Sequence, residues 1–191
     1  MVDFSNYLAR DKLKDGTEVT VRAIRPDDGP AILEAFRALD AESIYRRFFS
    51  PKKELSDVEL KRLTEVDFQS VMALVVTALA DGAEILLGGG RLATEGGDQP
   101  QSAELAFVTA GAQRGRGIAS LLLRHLTRLG QEAGLSLLKA EVLAENQAML
   151  NVFRRSGLPL VQRREGNVIH VTLALRDPSN SARGAGLRTS P

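Results

Sequence analysis

Ser102-Ala103-Glu104-Leu105-Ala106-Phe107-Val108-Thr109-Ala110-Gly111-Ala112-Gln113-Arg114-Gly115-Arg116-Gly117-Ile118-Ala119-Ser120 is the stretch that decides the fold. Ala103 to Thr109 is apolar enough for a buried strand, and a glycine-rich turn follows it. Ile118, Leu121, Leu122, Leu126 and Leu129 then recur at helical spacing, with Arg124, Arg128 and Gln131 off that stripe. Gly134 supplies the stop. The first turn of a helix leaves backbone N–H groups unpaired and carries partial positive charge. Glycine lets an anion approach those groups, because no Cβ intervenes. The pattern predicts a diphosphate held by the backbone of Arg114, Gly115, Arg116, Gly117, Ile118, Ala119 and Ser120, with both arginines adding charge.

Upstream, Thr17 to Ile24 alternates like a strand, and Pro26-Asp27-Asp28 opens a helix carrying Ile32, Ala35, Phe36 and Leu39 on one face. Glu42 to Phe49 is expected to be a second short helix, ended by Pro51. Ser56 and Glu59 have the spacing of a capping box, which starts a third. Val71–Leu79 and Ile85–Ala93 form a hairpin about Asp81-Gly82. Gly88, Gly89 and Gly90 inside its second strand point to a bulge or a close approach. Downstream come a strand at Leu137–Leu143, a helix from Asn146 to Ser156 stopped by Gly157, and two strands, Leu158–Val161 and Val168–Leu175, about Gly166-Asn167. Residues 1–16 read as a loose lead-in, 17–175 as one domain, and 176–191 as a disordered tail. A β-rich centre with single helices inserted makes this a mixed α/β chain.

The composition excludes several chemistries. None of the 191 residues is cysteine, so disulfides, thiolate metal sites and a cysteine nucleophile are ruled out. His125 and His170 are the only histidines, too few for a three-histidine metal centre, and no metal is expected. Both read as structural residues. A net charge of +1 gives no broad surface for nucleic acid. No signal-like or membrane-length apolar run is present, so the expected location is the cytoplasm, with no membrane partner.

Two cofactor families place a diphosphate on such a turn. A dinucleotide binder wants G-x-G-x-x-G near the start of a βαβ unit. Here the third glycine is replaced by Ser120, and the unit follows an antiparallel hairpin. Arg114-Gly115-Arg116-Gly117-Ile118-Ala119 instead fits R-x-x-G-x-A, which resembles the cofactor motif of the GNAT acetyltransferase superfamily. Ala140-Glu141-Val142-Leu143-Ala144-Glu145-Asn146, with Met149 and Gly157 after it, is similar to the second half of that cofactor domain. Ser43-Ile44-Tyr45-Arg46-Arg47-Phe48-Phe49 resembles the helical segment of the Pat-type branch, whose members acetylate protein lysines, notably on acyl-CoA synthetases. The resemblance spans roughly residues 17 to 175.

That resemblance implies a mixed, mostly antiparallel twisted sheet, split into a V between its central strands with helices on both faces. Acetyl-CoA would be the cofactor, its pantetheine arm pairing with the backbone of Phe107 and Val108 in the V. Glu104 stands where Pat-like enzymes have a glutamate general base; on sequence alone it is a solvated strand-end carboxylate. Val108 would offer its N–H to the oxyanion. Asn146 either contacts the cofactor, caps its helix, or does both. Many members use a tyrosine in the helix after that asparagine, but this chain has Phe153 there, which leaves the general acid unassigned. The acceptor is expected to be a protein lysine, with an acyl-CoA synthetase as the implied protein partner. A small amine, or acyl-CoA sensing without turnover, is the alternative.

Overall fold

The computed structural model describes residues 3–41, 44–45, 52–96, 101–109 and 111–175. Eight strands form one sheet, β1 (Leu8–Lys12), β2 (Glu18–Ala23), β3 (Val71–Ala80), β4 (Ala83–Glu95), β5 (Ser102–Thr109), β6 (Leu137–Leu143), β7 (Leu160–Glu165) and β8 (Val168–Ala174), in the order β1-β2-β3-β4-β5-β6-β8-β7. Every pairing is antiparallel except β5 with β6. Among the described residues, the α-helices with both ends placed are α1 (Gly29–Arg37), α2 (Asp57–Thr64), α3 (Ile118–Glu132) and α4 (Gln147–Arg154). The expected helix at Glu42–Phe49 and the Pat-like string from Ser43 lie almost wholly outside the described residues.

Alternation along β3 assigns the two faces. Met72, Leu74 and Val76 are buried in the main core with the α3 residues Leu122, Leu126 and Leu129. Ala73 and Val75 face the other way, into a smaller cluster with Ile24 and Ile32 beneath α1. Helices therefore cover both faces. Both readings of the glycines in β4 hold. Leu87 is an extra residue between Gly88↔Val76 and Leu86↔Thr77, a bulge. A Cβ on Gly88 would lie 2.9 Å from Ile118, and one on Gly90 2.9 Å from Leu126, so α3 lies directly on these bare positions.

Short-range chemistry sets the boundaries. Ser56 Oγ accepts from the Glu59 amide (3.3 Å) and Glu59 accepts from the Ser56 amide (3.0 Å), the reciprocal pair expected at the start of α2. Asp81 (φ 52°) and Gly82 (φ 79°) make the left-handed pair of a type I′ hairpin turn. Asp28 accepts two hydrogen bonds from the Arg22 guanidinium (2.7 and 2.8 Å), and Glu84 accepts a third (2.9 Å), which ties the start of α1 to β2 and β4. Burial opposes ionisation of Asp28, but Arg22 and the Arg25 amide outweigh it and hold the carboxyl below its usual range.

The lead-in at 1–16 needs correction. Leu8–Lys12 is an edge strand on β2, from Leu8↔Arg22 to Lys12↔Glu18. Its sequence, Leu-Ala-Arg-Asp-Lys, shows no apolar alternation because neither of its faces is fully buried. The anchors are the flanking residues Phe4 and Leu13, each 5% exposed in the main core. No described helix is long and apolar enough to cross a membrane.

Candidate active site

Only Ser102, Ala103 and Glu104 of β5 pair with β6, the last at Glu104↔Lys139. β5 runs on to Thr109 and β6 to Leu143, so the strands diverge and the sheet splits into a V. Beyond Glu104, the edge of β5 facing β6 lies outside the ladder and offers unpaired main-chain groups. A cleft of about 670 Å³ fills the split.

The turn Gly111–Gly117 closes one end of the cleft. Gly115 (φ 80°) and Gly117 (φ 94°) take the left-handed conformation that glycine adopts without strain. Gly117 is the N-cap of α3, and no side chain caps it. The Leu121 amide donates to Gly117 O (2.9 Å), which leaves the amides of Ile118, Ala119 and Ser120 at the helix mouth. Gly115, Gly117, Ile118, Ala119 and Ser120 all line the cleft.

The arginines depart from expectation. Arg114 lines the cleft, but its guanidinium pairs with Asp40. Arg116 turns away from it. Its Nε donates to Asp15 (2.7 Å), Nη2 to Thr17 Oγ1 (2.6 Å) and Nη1 to Gln113. The Arg116 guanidinium is thus held by acceptors on the β1–β2 turn and by Gln113, and it does not line the cleft. Lys14 lines the cleft instead, from that same turn.

Phe107 faces α3, its ring 2.9 Å from where a Gly90 Cβ would stand. Alternation then sets Glu104, Ala106 and Val108 on the opposite face, where Ala106 and Val108 meet residues of α1 and α2. A second, apolar cavity of about 100 Å³ lies on that face, bordered by Phe36, Leu63 and Val75. Ala106, Phe107 and Val108 line both cavities, so this strip of β5 separates them. Glu104 is exposed, lines the cleft, and stands at the apex of the V. Across the V, Asn146 Oδ1 accepts from the Met149 amide (3.1 Å), capping α4, and the residue also lines the cleft. Phe153 is 1% exposed against Phe107, ring centroids 6.3 Å apart, and among the described residues no tyrosine lines the cleft.

A match to the acetyltransferase (GNAT) domain family covers residues 18–159. The chain belongs to the GNAT acetyltransferase family. Its reaction is acyl-CoA-dependent acetyl transfer, with acetyl-CoA as cosubstrate. This GNAT chain is 29% identical to an acetyltransferase of Pseudomonas aeruginosa over 142 residues, 73% of this chain and 74% of that one. It is similar to the GNAT domain of S. lividans PAT, with 31% identity, a TM-score of 0.79, and coverage of 87% of this chain and 96% of that one. It shares the fold of the spermidine N-acetyltransferase of Vibrio cholerae, solved in complex with CoA and spermine. There the identity is 19%, the TM-score 0.64, and the coverage 82% and 95%.

The GNAT cleft has the donors that an acyl-CoA requires: helix-mouth amides for phosphate and a free strand edge for the pantetheine amides. Sequence reasoning missed Lys14. The only local sign was a lysine in a Lys-Asp-Gly turn; its nearness to Gly117 comes from a fold contact across about 100 residues.

Proposed function

We propose that the chain transfers acetyl from acetyl-CoA to a protein lysine side chain, with Glu104 as general base. The placement of Glu104 carries this reading: its carboxylate stands at the apex of the V, on the face that holds the apolar cavity. The helix-mouth amides of Ile118, Ala119 and Ser120 receive the cofactor diphosphate, and β5 from Phe107 receives its pantetheine arm. Val108 offers its N–H where oxyanion charge develops, and Asn146 contacts the cofactor from the far wall of the V. The thioester arrives already activated, so the enzyme needs no covalent intermediate. A lysine is almost fully protonated at neutral pH. Glu104 takes one proton from the ammonium; the neutral nitrogen bonds to the acetyl carbon to give a tetrahedral oxyanion, the nitrogen's second proton passes to solvent, and collapse of the oxyanion breaks the C–S bond and releases the sulfur as thiolate. A thiolate leaves without a tyrosine acid because an ordinary thiol has a pKa of about 8.5.

The protein acceptor rests on the Pat-type resemblance and the likeness to S. lividans PAT over most of both chains. The apolar cavity suits the aliphatic stem of a lysine. Mass spectrometry after incubation with acetyl-CoA tests it, using an acyl-CoA synthetase and spermidine as rival acceptors. Acetyl-lysine on the protein is the expected product. Acetylation of spermidine alone would replace this reading with the small-amine one.

A further inference from the structure

We infer that Lys14 binds the diphosphate of the cofactor, and that Arg116 is the positioning residue that holds the turn carrying it. This rests on the cleft being the cofactor site. Leu13 is buried in the core, and the turn after it is closed by Gly16 N to Leu13 O (3.0 Å) and Leu13 N to Thr17 O (2.9 Å). Lys14 N donates to Arg116 O (3.3 Å), which joins this turn to the glycine turn. The Arg116 guanidinium grips the residues on the other side, Asp15 and Thr17. Its hydrogen bond is the main reason the Asp15 carboxyl titrates well below its usual range. Lys14 is therefore fixed at both flanks and at its own backbone.

Its side chain crosses the mouth of α3. A Cβ on Gly117 would lie 3.1–3.3 Å from Lys14 Cγ, Cδ and Cε, so the missing side chain at Gly117 is what gives the stem its path. Three cations line the cleft. Arg114 pairs with Asp40, and Arg155 stands on the far wall at the end of α4. Lys14 is the cation against the helix mouth, and among the described residues its ammonium has no ion-pair partner. An ammonium beside helix-mouth amides is suited to phosphate oxygens. The turn precedes residue 18, where the family match begins, so this cation comes from outside the matched domain.

Calorimetry of the full chain with CoA, dephospho-CoA and pantetheine tests the assignment. Lys14→Met is expected to weaken CoA and dephospho-CoA alike, by about tenfold, the usual scale for a charge-assisted contact. Pantetheine binding should not change, and Lys14→Arg should restore most of the loss. Arg116→Met should weaken CoA several-fold, yet add little in the Lys14→Met background, since it acts through Lys14. Additive losses would reject that positioning role. Wild-type CoA affinity in a folded Lys14→Met protein would overturn the assignment. A loss for CoA but not dephospho-CoA would also overturn it, moving the contact to the 3′-phosphate. Met149→Trp, which fills the cleft from the opposite wall, separates the two failures. If it abolishes CoA binding while Lys14→Met does not, Lys14 alone is wrong. If neither variant matters, the cleft is not the cofactor site.

Discussion

Gly88, Gly89 and Gly90 follow one another in β4, yet each meets a different neighbour, and substitution separates them. A Cβ on Gly88 would lie 2.9 Å from the backbone oxygen of Val108, which cannot give way without distorting β5. On Gly90 the 2.9 Å contacts are the ends of Leu126 and Phe107, which can shift. On Gly89 the nearest atom, Leu74 O, is 3.4 Å away. Chemical denaturation should therefore rank the losses Gly88→Ala, Gly90→Ala, Gly89→Ala, the first on the order of 1–3 kcal/mol as an overpacked core contact. A reversed order would show that the Val108 carbonyl does not stand over Gly88 as described. Glu104 gives the chemical counterpart. Glu104→Gln keeps the shape of an exposed side chain and removes the proposed base, so kcat should fall by at least about tenfold while acetyl-CoA affinity is kept. Unchanged turnover would remove Glu104 from the mechanism. The close approach at the three glycines was legible in the sequence, because a glycine's missing Cβ is a local fact, whereas the role of Glu104 is what the Pat-like resemblance implies. The partners of Arg116 were not legible. Asp15 and Thr17 lie about 100 residues earlier, and nothing within the motif says that its second arginine turns outward.

Elements marked by apolar pattern or by a local turn or cap were read closely, while β1 and the bounds of β7, expected at Leu158–Val161 and found at Leu160–Glu165, carry no such mark. The capping box at Ser56 and the Asp81-Gly82 turn each carry their whole explanation in a short window. β1 carries none, since its stability comes from pairing with β2 and from anchors at Phe4 and Leu13. The turn into β3 is a local device that sequence inspection passed over. Asp67 Oδ1 accepts from the amides of Gln69, Ser70 and Val71, each at 2.9 Å, and Oδ2 from the Ser70 hydroxyl. Burial opposes its ionisation, but these four donors prevail and bring the carboxyl down to about 2, from 3.8. A carboxyl lowered in the folded state stabilises the protein above its unfolded pKa, and that stability is lost as pH falls through the folded value. Wild-type melting temperature should thus drop between about pH 4 and pH 2. Asp67→Asn, which has no charge to protonate, should melt lower at pH 7 and lose less across that window. An equal acid-induced fall in both proteins would show that Asp67 does not drive it.

On the scale of the whole molecule, the N-terminal arm is the part that sequence reading treated as loose, and the structure pins it to α3 through a buried histidine. His125 is 7% exposed, with Nδ1 on the Tyr7 hydroxyl and Nε2 3.2 Å from Asp11, which also accepts from Arg124 (2.7 Å). Burial pushes the imidazole below its ordinary value of 6.5; Asp11 pulls it up, while Arg124 and Arg128 push it further down. The folded protein therefore takes up a proton here less readily than the unfolded chain does. The stability contributed by neutral His125 is fully present above about pH 6.5 and is lost as pH falls through its lower folded value. Between pH 7 and pH 5 the melting temperature should decline, and amide exchange in Leu8–Lys12 should quicken with it. His125→Gln keeps a hydrogen-bonding side chain beside Tyr7 but cannot titrate, so its profile should be flatter across that interval. Because the arm ends in the turn that carries Lys14, loosening it also releases the cation at the mouth of α3. If exchange in the arm ignores pH while the core responds, the histidine acts on α3 alone and the pin is not what holds β1.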